Sequence, residues 1–474
     1  MIAPVPSKGH NLDTETLQRL DNKVVHPWEN FGGIGTHKRL VIERGEGVHV
    51  IDSDGNRMLD GPAGMWCVNA GYGRREIVNA IAEQAMELAY YSPFSNATSS
   101  VGLLTEKLSE YAPGDLTNVY FTCGGSTAVD GALRFAQFYN NALGRPNKKK
   151  IIARIGGYHG STFLSASVSG KLSDKTNLDM ADNIILISAP KPLLRPAGMS
   201  LEAFCDEKVA ELENAILEAG PQNVAVHIAE PVLASGGVII PPDGYQKRCL
   251  DVCRKYDVLY ISDEVVTGFG RLGEMFASEN VFGIVPDMIT MAKGLTSGYQ
   301  PMGGLMISQR LIDDIKASGA DYKWFSNGFT YSGHPVGAAA ALANIDIFER
   351  EGLLEHVRDI APYFAERLSE LSQLPVVSEV RSIGLMAGVE CDLDPGNPDE
   401  GRDMAFASEV DKQCMKMGLL VRPVYNMCVM SPPLTITREQ IDFMADTLMK
   451  GMRAVMEQRG FQALRTPLPA DTLQ

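Results

Sequence analysis

Between residues 119 and 307 the chain repeats one texture, short apolar runs separated by longer helical patterns. The runs are Val119–Phe121, Ile151–Ala153, Ile184–Leu186, Val224–Val226, Leu259–Ile261, Met288–Thr290 and Gly304–Ile307. They lack the strict apolar–polar alternation of a half-exposed strand, and so suit strands covered on both faces. Helices are expected over Ala128–Asn141, Leu201–Ala219 and Tyr245–Tyr256. Such alternation predicts an α/β fold, a mostly parallel sheet with helices on both sides.

The flanks read differently. Residues 1–40 are polar and broken by Pro27, Gly32, Gly33 and Gly35. A hairpin follows: Val48 and Val50 alternate with polar neighbours, Asp52-Ser53-Asp54-Gly55 supplies the turn, and Arg57-Met58-Leu59 returns. Beyond residue 335 an alanine-rich helix, Val336–Arg350, leads into α+β texture. A helix is expected near His356–Gln373, strands near Leu385–Glu390 and Leu419–Val424, and a closing helix near Arg438–Gln458. This places a large domain at 75–335 and a smaller one built from 1–74 and 336–474.

Hydrophobic residues make up 45% and charged residues 21% of the 474, enough apolar material for a sizeable core. The net charge of −15 disfavours nucleic acid and anionic membrane as partners. No run of about 18 apolar residues appears, so no membrane span is expected. Met1–His10 lacks the apolar centre of a signal peptide. Eight cysteines are too dilute for a disulfide scaffold, and none shows zinc-ligand spacing. Cys249 and Cys253 share a helical face with Leu250 and Tyr256, which reads as core. The cytoplasm is the expected compartment, and no metal is expected.

Functional groups in open α/β sheets gather beyond the carboxyl ends of strands. Three segments qualify. Thr122–Thr127 follows one run and opens a helix; its small residues admit an anion to backbone N–H groups, though the same pattern serves as a plain N-cap. Lys293 ends Met288–Lys293. A lysine leaving a buried strand is either a desolvated nucleophile or one that snorkels to water. Asp263 ends Leu259–Asp263 and is either a helix cap or a partner for a cationic ring nitrogen.

Several separated segments together resemble the class III aminotransferases, from about residue 25 to 460: Gly64–Gly73, Gly157–Ser161, Ser262–Arg271, Met291–Gly294 and Thr330–Pro335. The resemblance implies fold type I, with a seven-stranded sheet in the large domain, and pyridoxal 5′-phosphate as cofactor. It implies that Lys293 holds the cofactor as a Schiff base and carries the substrate proton, and that Asp263 pairs with the pyridine nitrogen. Tyr158 and Val265 would flank the ring. Gly125 and Ser126 would cradle the phosphate, Thr330 would reach a neighbouring subunit's phosphate in a homodimer that stands alone or pairs into a tetramer, and Glu230 would stand near the cofactor. Thr127 departs from the family, which usually has an acid there.

Trp66 and Phe94 resemble the aromatic walls of an ω-transaminase pocket, with Tyr158 as a third. Arg422 matches the arginine that grips the carboxylate of pyruvate, a task suited to its planar fork. The expected reaction moves an amino group from an ω-amino acid, diamine or other primary amine to pyruvate, a small-molecule keto acid. The alternative is a 2-oxoglutarate-dependent enzyme of the 4-aminobutyrate or acetylornithine type. That chemistry needs a second cation for the distal carboxylate, and the sequence does not identify an arginine for it.

Overall fold

In the computed structural model, which describes residues 12–460 except 396 and 398, all seven apolar runs enter one sheet. Across the sheet the order is Asn118–Thr122, Gly303–Ile307, Met288–Met291, Leu259–Asp263, Val224–Ala229, Lys150–Arg154 and Ile184–Ile187. Gly303–Ile307 runs antiparallel to both neighbours, and the remaining pairs are parallel. The link 292–302 contains no crossover helix, so the chain can only turn back there. The four central strands are buried at every position, as covered faces on both sides require.

Six strands run in one direction, and their carboxyl ends form a single edge. Thr122, Ala229, Asp263 and Met291 end there, and Gly125, Ser126, Glu230 and Lys293 lie in the segments that follow. The helices Leu201–Ala219 and Arg438–Gln458 fall on their expected bounds. Cys249 and Cys253 are fully buried with Leu250 in the core under one face of the sheet.

Two four-stranded sheets flank this layer. One holds Ile42–Glu46, His49–Asp52, Arg57–Asp60 and Leu419–Leu420. The other holds Val377–Ile383, Met386–Cys391, Met427–Met430 and Arg422–Val424. The strand expected over Leu419–Val424 is therefore two strands in different sheets. At Val421 the amide turns aside to Asp411 Oδ1 (3.2 Å), and Pro423 has no N–H for a ladder. Arg422 sits at the seam between the two sheets. The helices Arg75–Glu87, Ser99–Tyr111 and Glu400–Lys416 and the strands Val377–Ile383 and Met427–Met430 were not expected from the sequence. No described helix is long and apolar enough to cross a membrane. The reading of Met1–His10 lies outside the described residues.

Candidate active site

Lys293 opens a short 3-10 turn directly after the strand Met288–Met291, with φ at +46°. That left-handed backbone is unusual for a side chain with a Cβ and must be held from outside. Asn344, fully buried in the alanine-rich helix, supplies the hold. Its Nδ2 donates to the carbonyls of Gly294 (2.8 Å) and Leu295 (3.1 Å), and its Oδ1 accepts from Ser297 Oγ (2.6 Å). A Cβ on Gly294 would lie 2.4 Å from Asn69 Nδ2, so the turn is closed from behind as well. The Lys293 side chain stays partly open to the cleft. Desolvation nevertheless pushes its amine below the ordinary lysine range, against the opposing pull of Asp263 and Glu230.

Asp263 is buried at the end of its strand and bonded on both oxygens. Oδ1 accepts from Thr290 Oγ1 (3.0 Å) and from the Val265 amide (3.2 Å); Oδ2 lies 2.6 Å from His159 Nδ1. Glu230 is buried beside it, bound by the amides of Tyr158 (2.9 Å) and Ala234 (3.0 Å). Its desolvation raises its pKa above the usual carboxylate range.

The helix Gly125–Ala142 begins with no side-chain cap, which leaves first-turn N–H groups available to an anion. Ser126 Oγ accepts from the Ser161 amide (3.1 Å), tying this turn to the loop that carries Tyr158. A Cβ on Gly125 would stand 3.0 Å from Val265 Cγ1, whereas one on Gly124 would meet nothing within 4 Å. The turn thus packs tightly on the valine and stays open on its other side. Thr127, the departure from the family pattern, donates its hydroxyl to the Gly124 carbonyl (2.8 Å) and so stabilises the turn locally.

These groups meet. A cavity of about 160 Å³ is lined by Ser126, Tyr158, Glu230, Asp263, Val265 and Lys293, with Gly125 at its wall. Trp66 is buried with its ring centroid 5.3 Å from Lys293 Nζ and 5.2 Å from the Arg422 guanidinium carbon. Arg422 makes no ion pair among the described residues and touches Met65 Sδ. Burial lowers its pKa, with Tyr158 and Cys67 pulling the other way. Two expected residues lie elsewhere. Phe94 is 72% exposed, and Thr330 is exposed, its carbonyl accepting from Tyr90 Oη (2.7 Å). A Cβ on Gly328, two residues before Thr330, would lie 3.4 Å from the Phe94 ring, and neither Phe94 nor Thr330 lines the cavity.

A family model described as Aminotransferase class-III matches residues 34–452. The chain belongs to that family. Its members depend on pyridoxal phosphate, and the site fits that group: an anion-ready helix start, a buried carboxylate, and a desolvated amine face one cavity. The chain is 39% identical to the putrescine–pyruvate aminotransferase of Pseudomonas aeruginosa over 88% of its own length and 91% of that protein. It is 40% identical to the diaminobutyrate–2-oxoglutarate transaminase of Halomonas elongata, over 85% and 87%. Among solved structures, the ω-transaminase of Pseudomonas jessenii in complex with PMP superposes with a TM-score of 0.90 at 34% identity, over 94% of this chain and 99% of that one.

Sequence reasoning gave His159 and Asn344 no role. His159 stands beside Tyr158 in Gly157–Ser161, and Asn344 breaks the apolar run that begins at Val336. A polar residue at a core position was the available signal for Asn344. For His159 only the partner across the sheet reveals its use.

Proposed function

We propose that this aminotransferase moves an amino group from an ω-amino acid or other primary amine to pyruvate, giving alanine and an aldehyde or ketone. One observation carries the reading: the amine of Lys293, the carboxylate of Asp263 and the Ser126 turn line a single cavity. Lys293 would hold the cofactor covalently, Asp263 would pair with its ring nitrogen, and the Gly125–Ser126 turn would take its phosphate. When bound, pyridoxal phosphate supplies a carbonyl carbon that accepts the amino group and a protonated ring that spreads the electron pair left at the substrate carbon.

The chain's own residues do the rest. Once the incoming amine displaces it, Lys293 Nζ would take the proton from substrate Cα and deliver it to the former aldehyde carbon of the cofactor, a task helped by a lowered pKa. Asp263, held by His159 and Thr290, keeps its charge aimed at one point. Tyr158 and Val265 would bound the ring's two faces, and Glu230 fixes the Tyr158 backbone. Trp66 excludes water from the approach to Lys293. Arg422, free of a counterion and stacked on Trp66, binds the keto acid's carboxylate.

Phe94 and Thr330 support a homodimer. Both are exposed near Tyr90 and Tyr331, where a second copy would bring them to its own cavity. Light scattering should then give twice the chain mass, or four times it if two dimers pair, and Thr330→Ala should weaken retention of the cofactor.

The acceptor is tested by supplying one amine with pyruvate or 2-oxoglutarate and measuring which amino acid forms. Alanine in excess supports the proposal; glutamate in excess overturns it in favour of the 2-oxoglutarate reading.

A further inference from the structure

Lys171 has no part in the roles assigned so far, yet its backbone is as well fixed as theirs. The amide of Gly170 donates to the Gly157 carbonyl (2.7 Å), and the Gly156 amide donates to the Gly170 carbonyl (3.1 Å). A Cβ on Gly170 would lie 2.0 Å from the Arg154 carbonyl oxygen, so this crossing of two segments admits only glycine. One residue earlier, buried Ser169 accepts the His159 amide at its Oγ (2.9 Å). Lys171 is thereby anchored to the loop that presents Tyr158 and His159.

Its side chain is half-buried and lines the cleft that continues outward from the cofactor cavity past Tyr158 and Gly160. The ammonium lies 5.1 Å from the ring centroid of Tyr425, the turn residue that follows the strand carrying Arg422. No hydrogen bond or ion pair is made by Lys171 Nζ among the described residues. Lys175 in the same cleft differs, since its amine is engaged by the Ser167 carbonyl at 2.7 Å. Desolvation lowers the pKa of Lys171, and the charges that reach it are those of Asp174, Arg422 and Glu230. A partly desolvated cation resting on an aromatic face, with no counterion in contact, is incompletely compensated. An anion arriving in the cleft would complete it.

We propose that Lys171 receives a substrate carboxylate at the end far from the reacting carbon. The substrates so favoured are ω-amino acids as donors, or a dicarboxylic keto acid as acceptor. Diamines are disfavoured, because their second ammonium would meet Lys171 beside Arg422. The inference rests on the transaminase reading of the cavity and adds the charge of the substrate's distal end.

The test uses full-length holoenzyme carrying Lys171→Gln, with Lys171→Arg as the conservative variant. Lys171→Met, which keeps the apolar stem, serves if the glutamine variant fails to fold. KM is measured for 4-aminobutyrate, putrescine and the neutral 1-phenylethylamine with pyruvate, and for 2-oxoglutarate with 1-phenylethylamine. Binding of unreactive glutarate is measured by calorimetry. Loss of the cation should raise KM for the carboxylate-bearing substrate roughly tenfold relative to the neutral pair, weaken glutarate similarly, and improve putrescine. Lys171→Arg should retain the discrimination. A change confined to 4-aminobutyrate places the carboxylate on the donor; one confined to 2-oxoglutarate places it on the acceptor. Equal changes for charged and neutral substrates, or unaltered glutarate binding, overturn the role of Lys171. A wild-type enzyme inactive on every donor would instead refute the transaminase reading itself.

Discussion

His159 Nδ1 lies 2.6 Å from Asp263 Oδ2, and both side chains are buried. With Thr290 and the Val265 amide on the other oxygen, the carboxylate has no freedom to swing away from the cavity. Asp263→Asn keeps the shape and removes the charge. A charge pair at ~4 Å and an effective dielectric near ~20 is worth about 4 kcal/mol. The expected loss in kcat is therefore about three decades. His159→Gln removes a hydrogen bond to a charged group and should cost roughly ten- to a hundredfold. Steady-state kinetics with excess cofactor decide the point. An Asp263→Asn enzyme of normal rate would remove this residue from the chemistry.

Lys293 yields a spectroscopic prediction. Purified protein should be yellow, and Lys293→Ala should lose the visible band while its circular dichroism stays native. A mutant that kept the band would hold its cofactor by another residue. A pH prediction accompanies it. Only the neutral amine attacks a carbonyl, and burial lowers the pKa of this one. The rate of cofactor recapture by stripped enzyme should rise with pH and flatten below the ordinary lysine value of about 10.4. A rate still climbing at that pH would show an amine fully exposed to water.

The large sheet was legible because burial on both faces forces continuous apolar runs, and Val224–Ala229 and Leu259–Asp263 show it plainly. Their carboxyl ends then located Asp263, and the next strand located Lys293. The small sheets were harder to read. Arg422 belongs to a strand of three residues whose pairing depends on Met427–Val429, and so short a segment carries no periodicity. The placement of Phe94 and Thr330 was illegible for another reason: both sit exposed in turns, where neither periodicity nor burial leaves a pattern. Asn344 and His159 act through contacts 50 and 104 residues distant in sequence, which no local pattern encodes.

His227 is fully buried in the strand Val224–Ala229, its Nδ1 within 3.1 Å of the Ile152 carbonyl and its Nε2 without a partner. Burial, with the Arg154 charge adding to it, depresses its pKa to about 3. The unfolded chain titrates near ~6.5. Between these values the unfolded state binds a proton that the folded state refuses, so stability falls as pH drops from about 6.5 towards 3. His227→Gln removes that proton. Its unfolding free energy, measured by denaturant titration across this range, should depend less steeply on pH by up to about one proton. Parallel curves for both proteins would mean that His227 charges in the folded state.

Arg422 separates acceptor binding from amine binding. Its guanidinium lies over Trp66, whose ring also faces Lys293, so a carboxylate bound there would sit beside the reacting carbon. Arg422→Ala removes the fork but leaves the apolar wall that an uncharged amine uses. KM for pyruvate should rise by one to two decades, the scale of a charge-assisted bidentate pair of about 1.5–3 kcal/mol, while KM for a neutral amine changes little. Half-reactions make the comparison clean, because each substrate can be mixed alone with the matching form of the enzyme and followed by absorbance. Should both constants rise together, Arg422 would be acting as packing for Trp66, and the carboxylate would have to be bound elsewhere in the cleft.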